Sequence, residues 1–97
     1  MPTKWTRGAR GDLLDLVRYI QQERPDAARR RADRIRQMVK EAAEMPDAGR
    51  VVPEFNNPEI RERIVRPYRV VYLVEQEGIT VLGVVHGRRL MPKRFND

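Results

Sequence analysis

Residues 68 to 75, Tyr-Arg-Val-Val-Tyr-Leu-Val-Glu, restrict the possible folds more than any other stretch. Val70, Tyr72 and Val74 alternate with Val71, Leu73 and Glu75, so an extended chain here is mostly apolar on both faces. A strand with two apolar faces has to be covered twice, which predicts a central position in a sheet. A second apolar run at about 79–86 follows Glu75-Gln76-Glu77-Gly78, a turn in which Gly78 is free to take a positive φ. A third candidate strand precedes them at about 60–66. One face of such a sheet calls for a helical layer. The other needs cover as well, and a partner chain is a candidate for it.

The helical layer is legible upstream. Thr6 is placed to cap a helix running to about Gln22. Its apolar positions Leu13, Leu16, Val17 and Ile20 follow the helical period. Gly8 and Gly11 weaken its first turns by roughly 1 kcal/mol each relative to Ala, so packing has to hold it. Pro25 suits a first helical position and Asp26 a helix N-terminus, which predicts a restart there. This second helix runs to about Glu44 and is stopped by Pro46. Ala28, Ala32, Ile35, Val39 and Ala42 form its narrow stripe, and small residues there allow close approach to the first helix. So short a turn predicts an antiparallel hairpin. Residues 2 to 5 read as a short first strand, 46 to 59 as a Pro-rich loop, and 87 to 97 as a basic tail without periodicity. The predicted order is β-α-α-β-β-β, an α+β fold with a helical hairpin on a small antiparallel sheet.

Ninety-seven residues, 40% of them apolar, suggest a single domain over 1–97 with a thin core. The absence of cysteine excludes disulfides and thiolate metal sites and fits a reducing cytosol. No apolar run approaches the roughly 18 residues of a membrane helix, and the start lacks the apolar core of a signal peptide. The expected location is the cytoplasm, with no membrane partner. A net charge of +6, with seventeen Arg against three Lys, calls for an anionic partner, either nucleic acid or an acidic protein.

Residues 61–75 (RERIVRPYRVVYLVE) and 81–89 (VLGVVHGRR), together with 49–55 (GRVVPEF), resemble the ParE/RelE superfamily of bacterial toxins, nearer its ParE branch. The resemblance covers nearly the whole chain. It implies the RelE/ParE-like fold and a type II toxin–antitoxin toxin, of the kind also called plasmid stabilisation proteins. It implies neutralisation by a ParD-like antitoxin and DNA gyrase as target. The alternatives are a ribosome-dependent mRNA endonuclease of the RelE type and a non-toxic basic nucleic-acid-binding domain.

The candidate site residues are weighed against that resemblance. In the ribonuclease branch the arginine matching Arg69 contacts the scissile phosphate, so an endonuclease here would use Arg69, His86 and Arg89. The plainer reading makes Arg69 a strand arginine bonded to a carboxylate such as Glu62. His86 is the single histidine and a possible acid or base, but the tail offers no acid–base tyrosine to accompany it. As a strand-end histidine it also fits a hydrogen-bonded structural role. Without ribonuclease chemistry no catalytic residue is expected. No second His or Cys exists and no carboxylate pair has ligand spacing to His86, so no metal or cofactor is expected. The run Arg29–Arg36 lacks helix-turn-helix spacing, and the basic residues lack the interleaved aromatics of a base-stacking platform. Sequence-specific nucleic-acid binding is therefore not expected. Leu13, Val17, Ile35, Arg66, Arg69, Arg88 and Arg89 are candidates for antitoxin binding. Arg88, Arg89, Lys93 and Arg94, in a tail taken to be flexible and dispensable to the core, are candidates for target binding.

Overall fold

The computed structural model describes residues 2–97. Its elements are β1 (Thr3–Trp5), α1 (Arg7–Gln21), α2 (Pro25–Glu44), β2 (Arg50–Val51), β3 (Ile60–Val65), β4 (Tyr68–Glu75) and β5 (Gly78–His86). The sheet order is β1-β5-β4-β3-β2, with β4 in the middle. This α+β arrangement is the one the apolar patterning predicts. All neighbours pair antiparallel except β1, which lies parallel to β5 and pairs Thr3 with Ile79 and Trp5 with Val81. The predicted sheet is thus extended to five strands and made mixed at one edge.

The helices start and stop where local chemistry directs. The Thr6 hydroxyl accepts from the Ala9 amide at 3.0 Å and caps α1. Pro25 and Asp26 occupy the first turn of α2. The apolar face of α1 (Leu13, Leu16) and the Ala-rich face of α2 (Ala32, Ile35, Val39, Ala42) close on Val70, Tyr72, Val81 and Val84 of the sheet. Burial of this stripe gives the first core its stability.

A second core lies on the opposite face, where Val52, Ile60, Val71, Val85, Met91 and Phe95 pack together. Here the structure corrects two expectations. The second face of β4 is covered by the chain itself rather than left for a partner. The basic tail supplies half of that cover: a 3-10 turn at Lys93–Asn96 folds back, burying Met91 and Phe95. The turn is tied to the 52–59 loop by a 2.9 Å hydrogen bond from Asn57 Nδ2 to Asn96 Oδ1. Gly83 makes this possible, since a Cβ there would lie 2.3 Å from the Phe95 ring. The 46–59 loop is also more ordered than predicted, holding a 3-10 turn at Pro46–Ala48 and β2.

Gly78 has φ +119°, and a Cβ on it would lie 2.0 Å from the Pro2 carbonyl. Only glycine lets the β4–β5 turn form with β1 so close. Further along, Leu82 is an extra residue in β5, where the pairing with β4 shifts between Val71 and Tyr72.

Candidate functional site

Glu62 of β3 is buried with its side chain fully covered, the single buried charged residue among those described. Arg50 of β2 stands opposite it in the sheet register and donates from Nε at 3.0 Å and Nη2 at 2.5 Å. Arg69 of β4 donates to the same carboxylate from Nε at 2.5 Å and Nη2 at 3.0 Å. The remaining face of Arg69 grips Glu54 at 2.7 and 2.8 Å. Two arginines and two carboxylates thus form a closed, neutral row. The Arg69 side chain is only 12% exposed. Its hydrogen bonds to Glu54 and Glu62 raise its pKa, and those same bonds hold Glu54 down at about 2. This is the strand-arginine role weighed from the sequence, including its partner Glu62. Glu54 had no sequence signal, because it sits in a loop with no period.

His86 ends β5. Its Nδ1 accepts the Arg88 amide at 3.1 Å, which assigns the ring hydrogen to Nε2. The ring stands edge-on to Tyr68 at 5.6 Å, and Arg31 lies over the other side of that Tyr at 5.7 Å. Arg31 Nη1 donates to the Arg66 carbonyl at 2.6 Å, tying α2 to the β3–β4 turn. Arg66, Arg88 and Arg89 are exposed around this stack. His86 is therefore a hydrogen-bonded strand-end residue. In this tautomer its free nitrogen is a donor and its basic nitrogen is occupied.

Two concavities adjoin these residues. A cavity of about 690 Å³ lies between α1, the end of β5 and the tail, with Asp12, Tyr19, His86, Arg89, Leu90 and Arg94 in its wall. Asp12 accepts the Val84 amide at 3.0 Å, and desolvation raises its pKa. Tyr19 and Leu90 are large exposed apolar residues there. A shallower groove of about 430 Å³ runs over the hairpin, with Trp5, Leu13, Leu14 and Val17 flanked by Arg10 and Arg36. Asp12, Leu14, Tyr19 and Leu90 were missed from the sequence, since exposure at a turn or beside a helix stripe leaves no periodic mark.

The candidates divide accordingly. Leu13 and Val17 line the hairpin groove, whereas Ile35 is fully buried in the first core. Ile35 is thus a core residue and not a contact surface. Arg69 is enclosed among the carboxylates of Glu54 and Glu62. Arg89 and Arg94 meet in the cavity wall, while Arg88 and Lys93 are exposed nearby along the chain. No three His, Asp or Glu residues among those described group to hold a metal ion, and no helix is long and apolar enough to cross a membrane.

A family model described as the ParE toxin of the type II toxin–antitoxin system parDE matches residues 3–91. Toxin RelE2 of Caulobacter vibrioides is 33% identical over 87 residues, which is 89% of this chain and 94% of that protein. Among solved structures, "Chromosomal ParDE TA system from P. aeruginosa" superposes with a TM-score of 0.74 at 24% identity, over 89% of this chain and 95% of that one. That likeness is one of fold.

Proposed function

Given that the chain belongs to the ParE toxin family of type II toxin–antitoxin systems, we propose that it poisons DNA gyrase by binding rather than by cutting RNA. A ParD-like antitoxin holds it in check. The observation that carries the choice against the endonuclease is Arg69. Cleavage through a 2′-hydroxyl needs a cation free to meet the phosphorane and a base free to take a proton. Arg69 is closed off by Glu54 and Glu62, which stand where a phosphate would have to enter. His86 offers its occupied nitrogen as base. Neither arrangement is needed by a toxin that acts through its surface.

The antitoxin reading draws on the hairpin groove. Leu14 is about half exposed beside Trp5, Leu13 and Val17, with Arg10 and Arg36 at the rim. Such a surface suits an amphipathic helix with apolar residues at helical spacing and carboxylates beside them. Arg88, Arg89, Lys93 and Arg94 are the proposed contacts to the target. They are exposed cations on a tail anchored by Met91 and Phe95.

A reconstituted supercoiling assay tests the target. The purified protein should inhibit supercoiling by gyrase, and in cells translation should continue at first while the DNA-damage response and filamentation set in. Normal supercoiling at saturating protein, with an immediate stop in translation and codon-phased mRNA cleavage, would establish the endonuclease instead.

A further inference from the structure

Two backbone groups on the wall of the 690 Å³ cavity are left over by the fold. Residues of an antiparallel strand alternate between facing the partner strand and facing away. Gly87 donates to Pro67 on the β4 side, and Val84 donates away from β4 to Asp12. Val84 and His86 therefore turn their backbone groups away from β4. The His86 carbonyl accepts from the Arg89 amide, whereas the Val84 carbonyl and the His86 amide take no partner among the described residues. One acceptor and one donor thus stand two residues apart on one side of β5, at the cavity. A flat heterocycle can fill both at once. The Watson–Crick edge of a purine carries a donor beside an acceptor, N6–H and N1 in adenine or N1–H and O6 in guanine, and proteins read bases through that edge.

The rest of the cavity matches the rest of a nucleotide. Its volume falls in the range of roughly 300–1,000 Å³ usual for small-molecule sites. Leu16 and Tyr19 wall it on the α1 side, Leu90 and Pro92 on the tail side. Tyr19 is 69% exposed and Leu90 94%, so apolar surface is available to the faces of a base. Arg89 and Arg94 stand in the same cavity, and neither forms an ion pair among the described residues. Arginine forks match phosphate oxygens in pairs. Asp15, exposed on the α1 wall, is an acceptor of the kind that takes ribose hydroxyls. Sequence distance separates Tyr19 from these arginines, and the packing of α1 beside the end of β5 brings them together.

We propose that this cavity binds a free purine nucleotide, its base held by the Val84 carbonyl and the His86 amide and its phosphates by Arg89 and Arg94. The site stands apart from the reading of the target, since it rests on the cavity alone. A bound nucleotide would also occupy two of the cations proposed to meet gyrase.

The test titrates the full chain with ADP and with GDP while its amide signals are followed by NMR. The His86 amide should shift and gain protection from exchange, and Val74 at the other end of β4 should stay still. Arg89→Glu and Arg94→Glu, both at exposed positions, should each weaken ADP binding about tenfold or more. Tyr19→Ala should weaken ADP and leave pyrophosphate binding unchanged. If pyrophosphate moves the His86 amide as far as ADP does, the cavity is only an anion patch and the base assignment falls. Binding of a short oligoadenylate without binding of either free nucleotide overturns the mononucleotide site. A His86 amide unmoved by millimolar ADP and GDP overturns the site altogether. None of these outcomes bears on gyrase, which the supercoiling assay reads separately.

Discussion

Arg69 makes four hydrogen bonds to two carboxylates and so ties β4 to β3 and to the 52–59 loop. Removing the buried Glu62 leaves Arg69 with Glu54 alone and leaves Arg50, whose side chain is 63% exposed, to water. Glu62→Ala should lower unfolding free energy in urea by about 1–3 kcal/mol. Glu54 gives the same row a pH signature. Its folded pKa of about 2 lies below its ordinary 4.5, so its contribution is complete above pH 4.5 and fades as pH falls towards 2. Urea midpoints measured across that window should decline less for Glu54→Gln than for the parent. At His86 the occupied Nδ1 predicts that His86→Ala keeps its growth-arrest activity. Loss of a general acid or base would reduce activity about 10²-fold or more, and primer extension on cellular mRNA would show it. Asp12→Asn retains an acceptor for the Val84 amide and removes a charge disfavoured by desolvation, so its thermal midpoint should stay level or rise. Asp12→Ala leaves that amide bare, at about 1–2 kcal/mol.

Among the elements, the tail changes most from expectation. Met91 and Phe95 close the second core, so Phe95→Ala should cost about 3 kcal/mol. Deleting residues 91–97 should then lower the melting temperature and impair antitoxin binding and toxicity together, not toxicity alone. Calorimetry beside a pull-down distinguishes the two. The helices were readable because caps and apolar period agree at Thr6, Pro25 and the Leu13–Ile20 stripe. β4 was readable because both of its faces are apolar. β2 was not, since two residues have no period, and the parallel partner of β1 leaves no mark in three residues. Met91 and Phe95 stand four apart in a run of cations and are fixed by Gly83 and Val85, which sequence distance conceals. The candidate site was legible in its residue types. Arg69 and Glu62 were paired correctly, but Ile35 was assigned to a surface because helical spacing alone cannot tell a buried stripe from a docking stripe.

At the scale of the whole molecule, charge and topology set how it meets other chains. A surplus of six positive charges should speed encounter with an acidic antitoxin and make the association rate fall as salt rises, while dissociation changes little. Stopped-flow association across a salt series reads this directly. The parallel pairing of Thr3–Trp5 with Ile79–Val81 has a temporal meaning as well. β1 waits for β5 to be made before it can join the sheet, and the second core waits longer, for Phe95. At roughly 5–20 residues per second the chain spends several seconds under synthesis without a finished sheet. Chains that stop short of Arg89 and Arg94 lack both cations and the second core that anchors them, so the proposed poison forms only once synthesis has passed Phe95.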